Sequence, residues 1–183
     1  MISAKWNATA FVALVALAAA PSASAQASDP LTAGAKAQFT GINSFIVRSA
    51  EKIPDALYSF QPTPEVRTVA QLYGHIADAY FEMCSTAGGG TAPRNGIEKA
   101  VRTKAELVKA LNEGAAYCQS VIGAMNDRKG AETVPFYFGP TPRLSVLYFT
   151  VTHSYEHYGN LVTYMRLNKI VPPSSEPPPA TAR

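Results

Sequence analysis

The sequence is poor in charged residues and does not concentrate them anywhere. Only 16% of its 183 residues are Asp, Glu, Lys or Arg, and the formal net charge is +3. The basic residues are scattered and form no lysine or arginine stripe, so nucleic acid is not an expected partner. The slight basic excess arises among few charges and does not indicate a polyanionic ligand.

Several motifs that mark catalytic or cofactor-binding sites are absent. The two cysteines, Cys84 and Cys118, stand in neither a CxxC nor a CxxCH sequence. Their context therefore indicates neither a thioredoxin-like site nor covalent haem attachment. The sequence also has no nucleophilic-serine motif and no glycine-rich phosphate loop. The sequence therefore contains none of the common motifs that indicate acyl transfer by a serine or nucleotide binding.

Long apolar runs are missing after the first 25 residues. Lys5 precedes an apolar run over 8–20 and a small-residue cleavage pattern over 21–25. This order is typical of a secretory signal peptide over residues 1–25, and it predicts export to the periplasm or secretion. The run is too short to span a bilayer as a mature helix. We therefore expect no membrane span after cleavage; a retained N-terminal anchor is the alternative.

Apolar residues at helical spacing predict four helices and no strands. Thr68 with Gln71, and Thr103 with Glu106, form capping-box patterns that mark two helix starts. The fold class is therefore all-α, a four-helix bundle over residues 31–170. The proline-rich segment 171–183 is expected to be disordered or polyproline-like. The helices are expected at 31–51, from Thr68 to just before Gly88, from Thr103 onward, and from Thr141 to about Asn168.

The positions of the two cysteines bear on whether the second and third helices run parallel or antiparallel to each other. Cys84 and Cys118 lie at nearly the same distance from the starts of their helices, about 23 Å at a rise of ~1.5 Å per residue. They can form a disulfide only if the two helices run parallel, joined by a long crossover, because a disulfide needs Cα atoms about 6 Å apart. An exported chain favours this bridge. Two buried free thiols are the alternative.

The three histidines are the main candidates for function. His153 and His157 are four residues apart and share a helix face, and His75 lies on the second helix at the edge of its apolar stripe. Three imidazole nitrogens with an open fourth position would suit a divalent metal such as zinc. Spacing alone equally allows histidines that only make hydrogen bonds in the core.

Two segments resemble the DinB-like (YfiT-like) family. The first is 60–68 followed by Leu72 and His75; the second is His153-x-x-x-His157 followed by Gly159, Leu161 and Arg166. The resemblance implies a four-helix bundle with a long crossover between helices two and three. It also implies a divalent metal, zinc or nickel, held by His75, His153 and His157. Asn160 departs from the glutamine that the family often carries there, and thiol-dependent transfer fits poorly with an exported chain.

These observations lead to three functional hypotheses. The first is a metal-dependent hydrolase or transferase that acts on a small molecule, with Asp78 or Glu156 as a base or as a partner of an imidazole. Tyr164 and Asn160 would line its pocket. Both carboxylates could equally be solvated side chains on helices. The other hypotheses are a non-catalytic metal- or ligand-binding bundle and a structural protein of the cell envelope. A homodimer is compatible with all three.

Overall fold

The computed structural model describes residues 29–100 and 103–177. The predicted signal peptide, 1–25, and the last part of the proline-rich segment, 178–183, lie outside these residues. The described part is mostly helical, with one small hairpin, in agreement with the all-α prediction. Its elements are α1 (Pro30–Lys52), a 3₁₀ turn (Asp55–Leu57), α2 (Val69–Gly88), α3 (Ile97–Ala100), α4 (Lys104–Gly123), α5 (Asp127–Gly130), β1 (Thr133–Phe136), β2 (Gly139–Pro142), α6 (Arg143–Leu167) and a 3₁₀ turn (Pro173–Ser175).

The capping signals place the helix starts correctly. The Thr68 side chain accepts the Gln71 N–H while the Gln71 side chain accepts the Thr68 N–H, a complete capping box at the start of α2. Thr103 likewise accepts the Glu106 N–H at the start of α4. α2 ends at the predicted glycines. Gly89 is left-handed with φ +82°, a conformation that favours glycine at a helix end.

The prediction of no strands was wrong, and so was the predicted start of the fourth helix. Residues 133–136 and 139–142 pair as an antiparallel hairpin, so α6 begins at Arg143 instead of Thr141. The hairpin contains three prolines, which cannot donate ladder hydrogen bonds and made the segment look like a loop. In a two-stranded ribbon every strand is an edge strand, and proline is tolerated there.

The four long helices pack around one core, with α1 and α6 pointing one way and α2 and α4 the other. The start of α6 meets the start of α1, where the Tyr148 hydroxyl donates to the Leu31 carbonyl. It also meets the end of α2, where Arg143 donates to the Ala87 carbonyl. The largest fully buried side chains come from all four helices and from the crossover: Phe39, Ile42, Ile46, Ile53, Tyr73, Ile76, Tyr80, Ile97, Leu107, Leu111, Leu147 and Leu161.

The Cys84–Cys118 disulfide joins α2 to α4, with the two Cα atoms 5.3 Å apart. The parallel arrangement of these two helices is therefore confirmed, and residues 89–103 form the crossover between them. Within the described residues neither cysteine is free. The bridge closes a covalent loop that contains the crossover, and it ties the end of α2 to the end of α4.

Residues 171–177, the first part of the proline-rich segment, pack on the bundle, and Pro172 has polyproline-like backbone angles (φ −66°, ψ 148°). The Tyr158 hydroxyl donates to Ser174 Oγ and accepts the Ser174 N–H. Glu176 pairs with Arg48 and Lys52 of α1. Proline rings can be buried without leaving an unsatisfied N–H, and Pro172 and Pro173 are buried here. Across the described residues no helix is long and apolar enough to cross a membrane.

Candidate metal centre

His75, His153 and His157 converge in the groove between α2 and α6. The Nε2 atoms of His75 and His153 are 3.1 Å apart, as are those of His153 and His157. One nitrogen of each ring lies within 4.8 Å of the other two, and the part of the chain that is described contains no other such group of histidine, cysteine or carboxylate ligands. The predicted cluster is therefore present.

The two helices explain this convergence. His153 and His157 are one turn apart on α6 and so project from one face. α2 runs antiparallel to α6 along the same groove and contributes His75 from the opposite wall. The sequence could place the first two residues by spacing alone. The third depended on which helices are neighbours.

Burial keeps two of the imidazoles neutral. It lowers the pKa of His157 to about 3, with the neighbouring His153 and His75 rings and the Arg67 charge acting in the same direction. It lowers the pKa of His153 to about 4, again helped by His75 and Arg67. At neutral pH both rings are uncharged and each has a nitrogen lone pair available for a metal.

Glu98 of α3 orients the third imidazole. Its carboxylate accepts a hydrogen bond from His75 Nδ1 at 2.9 Å and another from Arg67 Nε at 2.9 Å. Burial raises the pKa of Glu98, but the hydrogen bonds and charges of Arg67 and His75 outweigh it, so the net shift is downward. An ionised carboxylate can only accept, which assigns the proton to His75 Nδ1 and leaves Nε2 free to face the cluster. This carboxylate–histidine pair is the usual support of a metal-ligating imidazole.

Two residues of α2 hold Glu98 in place. The Asp78 carboxylate accepts the backbone N–H groups of Ile97 and Glu98, each at 2.9 Å. At Gly74 the crossover backbone lies so close that a Cβ would stand 2.6 Å from Glu98 Cα. Gly74, directly before His75, therefore permits the approach, and Asp78, three residues after His75, fixes it.

Sequence reasoning did not find Glu98, because it lies in the long crossover, where no helical or strand periodicity indicates which residues approach the bundle. One signal was available. Ile97 is a large apolar residue in a polar loop, and it is fully buried against α2. A buried anchor in the crossover would have predicted that the adjacent Glu98 approaches the bundle.

The two predicted carboxylates lie elsewhere. Both oxygens of Asp78 are occupied by the crossover backbone, and Glu156 is exposed on α6. Neither belongs to the group of converging ligand atoms. A role for either as a general base stays a prediction, whereas the contacts of Asp78 position Glu98 and, through it, His75.

A cleft opens beside Glu98 at the His75 end of the groove, with a volume of about 610 Å³. Asn160 and Tyr164 line it, as their place on the histidine face of α6 predicted. The Tyr164 hydroxyl donates to the Arg67 carbonyl at 2.9 Å and ties α6 to the segment before α2. The remaining lining residues are Pro62, Thr63, Glu65, Val66, Arg67 and Leu72.

The donor set fits a divalent metal ion. Three convergent imidazole nitrogens, two of them on rings that burial keeps neutral, are a ligand set that zinc accepts with one position left open. His157 Nδ1 is buried without a hydrogen-bond partner among the described residues, so only the Nε2 side of that ring meets other polar atoms. The site thus has ligand atoms in place and one supporting carboxylate, Glu98.

Comparison with known proteins identifies the family. A profile of the DinB superfamily matches residues 46–161. The chain belongs to the DinB superfamily. The match includes all three histidines, Glu98 and both cysteines. No protein with curated annotation matches the chain.

Solved structures share the fold of this superfamily member at low identity. A DinB-like protein from Bacillus cereus is 15% identical, with a TM-score of 0.68 over 77% of this chain and 95% of that one. A DinB-like protein from Bacillus subtilis is 16% identical, with a TM-score of 0.62 over 74% and 92%. A mycothiol-dependent maleylpyruvate isomerase is 12% identical, with a TM-score of 0.57 over 71% and 60%.

Proposed function

We propose that this DinB superfamily member is an exported metal-dependent enzyme, a hydrolase or transferase that acts on a small molecule. His75, His153 and His157 would hold one divalent ion, zinc or nickel. The observation that carries the proposal is the convergence of three imidazole Nε2 atoms, one of them fixed in its tautomer by an ionised carboxylate. The signal-peptide pattern at residues 1–25 supports export.

Each residue around the site has a distinct task in this proposal. When bound, the ion would supply Lewis-acid polarisation of a substrate oxygen. Glu98 retains the proton on His75 Nδ1, and Arg67 keeps Glu98 ionised through their hydrogen bond. Asp78 and Gly74 hold Glu98 at the required distance. Arg67, Asn160 and Tyr164 line the cleft beside Glu98, where a polar part of a small molecule would bind.

The solved mycothiol-dependent isomerase supports catalysis on this scaffold, since a similar fold there belongs to an enzyme. It does not define the reaction here, because 12% identity shows a common fold alone. Export also removes the chain from the compartment where low-molecular-weight thiols are abundant. A hydrolase or a thiol-independent transferase is therefore the form of the proposal that we favour.

A non-catalytic metal-binding bundle is the second candidate, and one observation favours it. The carboxylate nearest to the imidazoles, Glu98, already accepts hydrogen bonds from Arg67 and His75. A general base would thus have to be Glu156 or Asp78 after rearrangement, or come from the substrate. Activity assays distinguish this candidate from the first, whereas metal analysis tests both.

Elemental analysis of the purified protein tests the metal site. We expect close to one equivalent of zinc or nickel, and its loss in the His153→Ala variant. Tyr155→Ala is the matched control, because Tyr155 lies on the same helix but is exposed and outside the cluster. Absence of metal after reconstitution would reject both candidates. Metal without turnover of ester, amide or phosphoester substrates would favour the second.

A further inference from the structure

Four aromatic rings form a continuous cluster at the hairpin end of the α2–α6 groove. Phe136, Tyr137 and Phe138 come from the hairpin and Phe149 from α6. The ring centroids of Phe136 and Phe149 are 5.4 Å apart, and those of Phe138 and Phe149 are 5.7 Å apart. We call these four residues the aromatic wall.

The aromatic wall is exposed where turns normally carry small polar residues. Tyr137 and Phe138 are the two residues between β1 and β2, and such two-residue hairpin turns favour Asn and Gly. Here they are 57% and 77% exposed. Contiguous exposed apolar surface of this kind is typical of a binding site. The turn is also fixed in position, because the Tyr137 hydroxyl donates to Glu82 of α2 at 2.6 Å.

The aromatic wall continues directly into the histidine cluster. Phe149 lies one helical turn before His153 on α6, so the two side chains share a face. Their ring centroids are 6.4 Å apart and their planes are inclined by only 30°. His153 in turn adjoins His157 and His75, with centroids 4.4 and 5.0 Å away. A row of rings therefore runs from Phe138 at the surface to the three Nε2 atoms.

We propose that the aromatic wall binds an aromatic ring of the substrate. A polar group of the same molecule would then lie beside the three histidines. The inference rests on the proposed function and names its substrate class: a small molecule with an aryl group next to a metal-binding oxygen function. A substrate ring that rests on the exposed Tyr137 and Phe138 would meet them at the 4.5–7 Å that is typical of stacked or edge-to-face rings. A second copy of the chain is less suited to the site, because four rings offer far less area than the ~1,000 Å² that a stable interface needs.

A pair of hydroxamates tests this inference. Hydroxamates bind zinc through their oxygen atoms, and phenylacetohydroxamate differs from acetohydroxamate by one phenyl ring. For the zinc-loaded protein, titration calorimetry should show phenylacetohydroxamate binding about tenfold more tightly or better, the gain for burying one ring. In Phe138→Ala the ratio of the two affinities should fall several-fold, with zinc content unchanged. Tyr155→Ala, which removes an exposed aromatic side chain outside the wall, should leave the ratio unaltered.

The outcomes separate the two proposals. Failure to bind zinc rejects the proposed function and, with it, this inference. If zinc binds but the two hydroxamates bind equally, or neither binds, the metal site stands and the aromatic subsite is rejected. A preference that persists in both Phe138→Ala and Phe149→Leu would also reject it. So would a dimer that dissociates in Phe138→Ala while the preference is unchanged, since the wall would then be a contact between copies.

Discussion

Two connections flank the three histidines, and they differ in chemistry and in how they are held. The crossover, residues 89–103, is polar at the site: it brings Glu98 to His75 and is fixed by Asp78. The hairpin, residues 133–142, is apolar at the site: it brings Phe136 and Phe138 against Phe149. The helices thus supply the imidazoles, and each connection supplies a different environment on one side of them.

The two connections also differ in their anchors. The Cys84–Cys118 bond closes the chain around the crossover, whereas the hairpin has no covalent link and is joined to α2 by the Tyr137–Glu82 hydrogen bond. Glu98 itself is held by Asp78 and by the close backbone contact at Gly74, so we expect the polar side of the site to be the more rigid one. A wall of exposed rings tolerates more movement. Four variants test how the two connections are anchored.

Removing the disulfide should have the largest effect on stability. Cys84 and Cys118 are separated by 34 residues, and a loop of that length predicts that the bond stabilises the fold by about 3 to 4 kcal/mol. Urea unfolding of Cys84→Ala/Cys118→Ala should show this loss in the free energy of unfolding. A loss below about 1 kcal/mol would mean that packing alone holds α2 and α4 together.

Replacing Glu98 by Gln should weaken metal binding about 10- to 100-fold. The amide is uncharged, so it holds the proton on His75 Nδ1 less strongly and pairs less well with Arg67. Competition with a zinc chelator measures the affinity. Glu65→Gln is the control, because Glu65 lines the same cleft without contacting a histidine. Equal affinities for the two variants would show that Glu98 does not support the site.

Replacing Gly74 by Ala should weaken the same Glu98–His75 hydrogen bond by displacing the crossover backbone. We expect a smaller loss of metal affinity, about tenfold. The new Cβ would stand 2.6 Å from Glu98 Cα, so the crossover must move outward and lengthen the Glu98–His75 hydrogen bond. Gly41→Ala is the matched control, since nothing lies within 4 Å of a Cβ there. Chelator competition again gives the result. Full affinity in Gly74→Ala would contradict the proposed rigidity of the crossover.

Replacing Tyr137 by Phe should have the smallest effect, about 1 kcal/mol or less in the free energy of unfolding. Burial and the adjacent Glu82 raise the pKa of Tyr137 to about 12. The phenol stays protonated below its unfolded pKa near 10, so the hydrogen bond stabilises the fold there and is lost as the pH rises toward 12. The difference between wild type and variant should therefore shrink above pH 10. A difference that grows instead would exclude the hydrogen bond as its cause.

Predictions from the sequence were correct where the interacting residues are close along the chain and failed where they are far apart. The caps at Thr68 and Thr103 depend on residues three positions apart, and both helix starts were placed correctly, although only Thr68 forms a complete capping box. The hairpin was missed because its prolines suppress the usual strand pattern. Glu98 was missed because its role depends on the backbone of the crossover meeting α2 at Gly74, a contact that no local pattern in the loop encodes.

The sequence predicted the four long helices, the common face of His153 and His157 and, provided that the cysteines form a disulfide, the parallel direction of α2 and α4. These depend on helical periodicity and on the short reach of a disulfide. The tertiary structure alone decided that His75 faces the other two imidazoles, that Glu98 orients it and that the hairpin rings adjoin His153. Those contacts join residues distant in sequence, and their positions follow from which elements pack together and how closely their backbones approach.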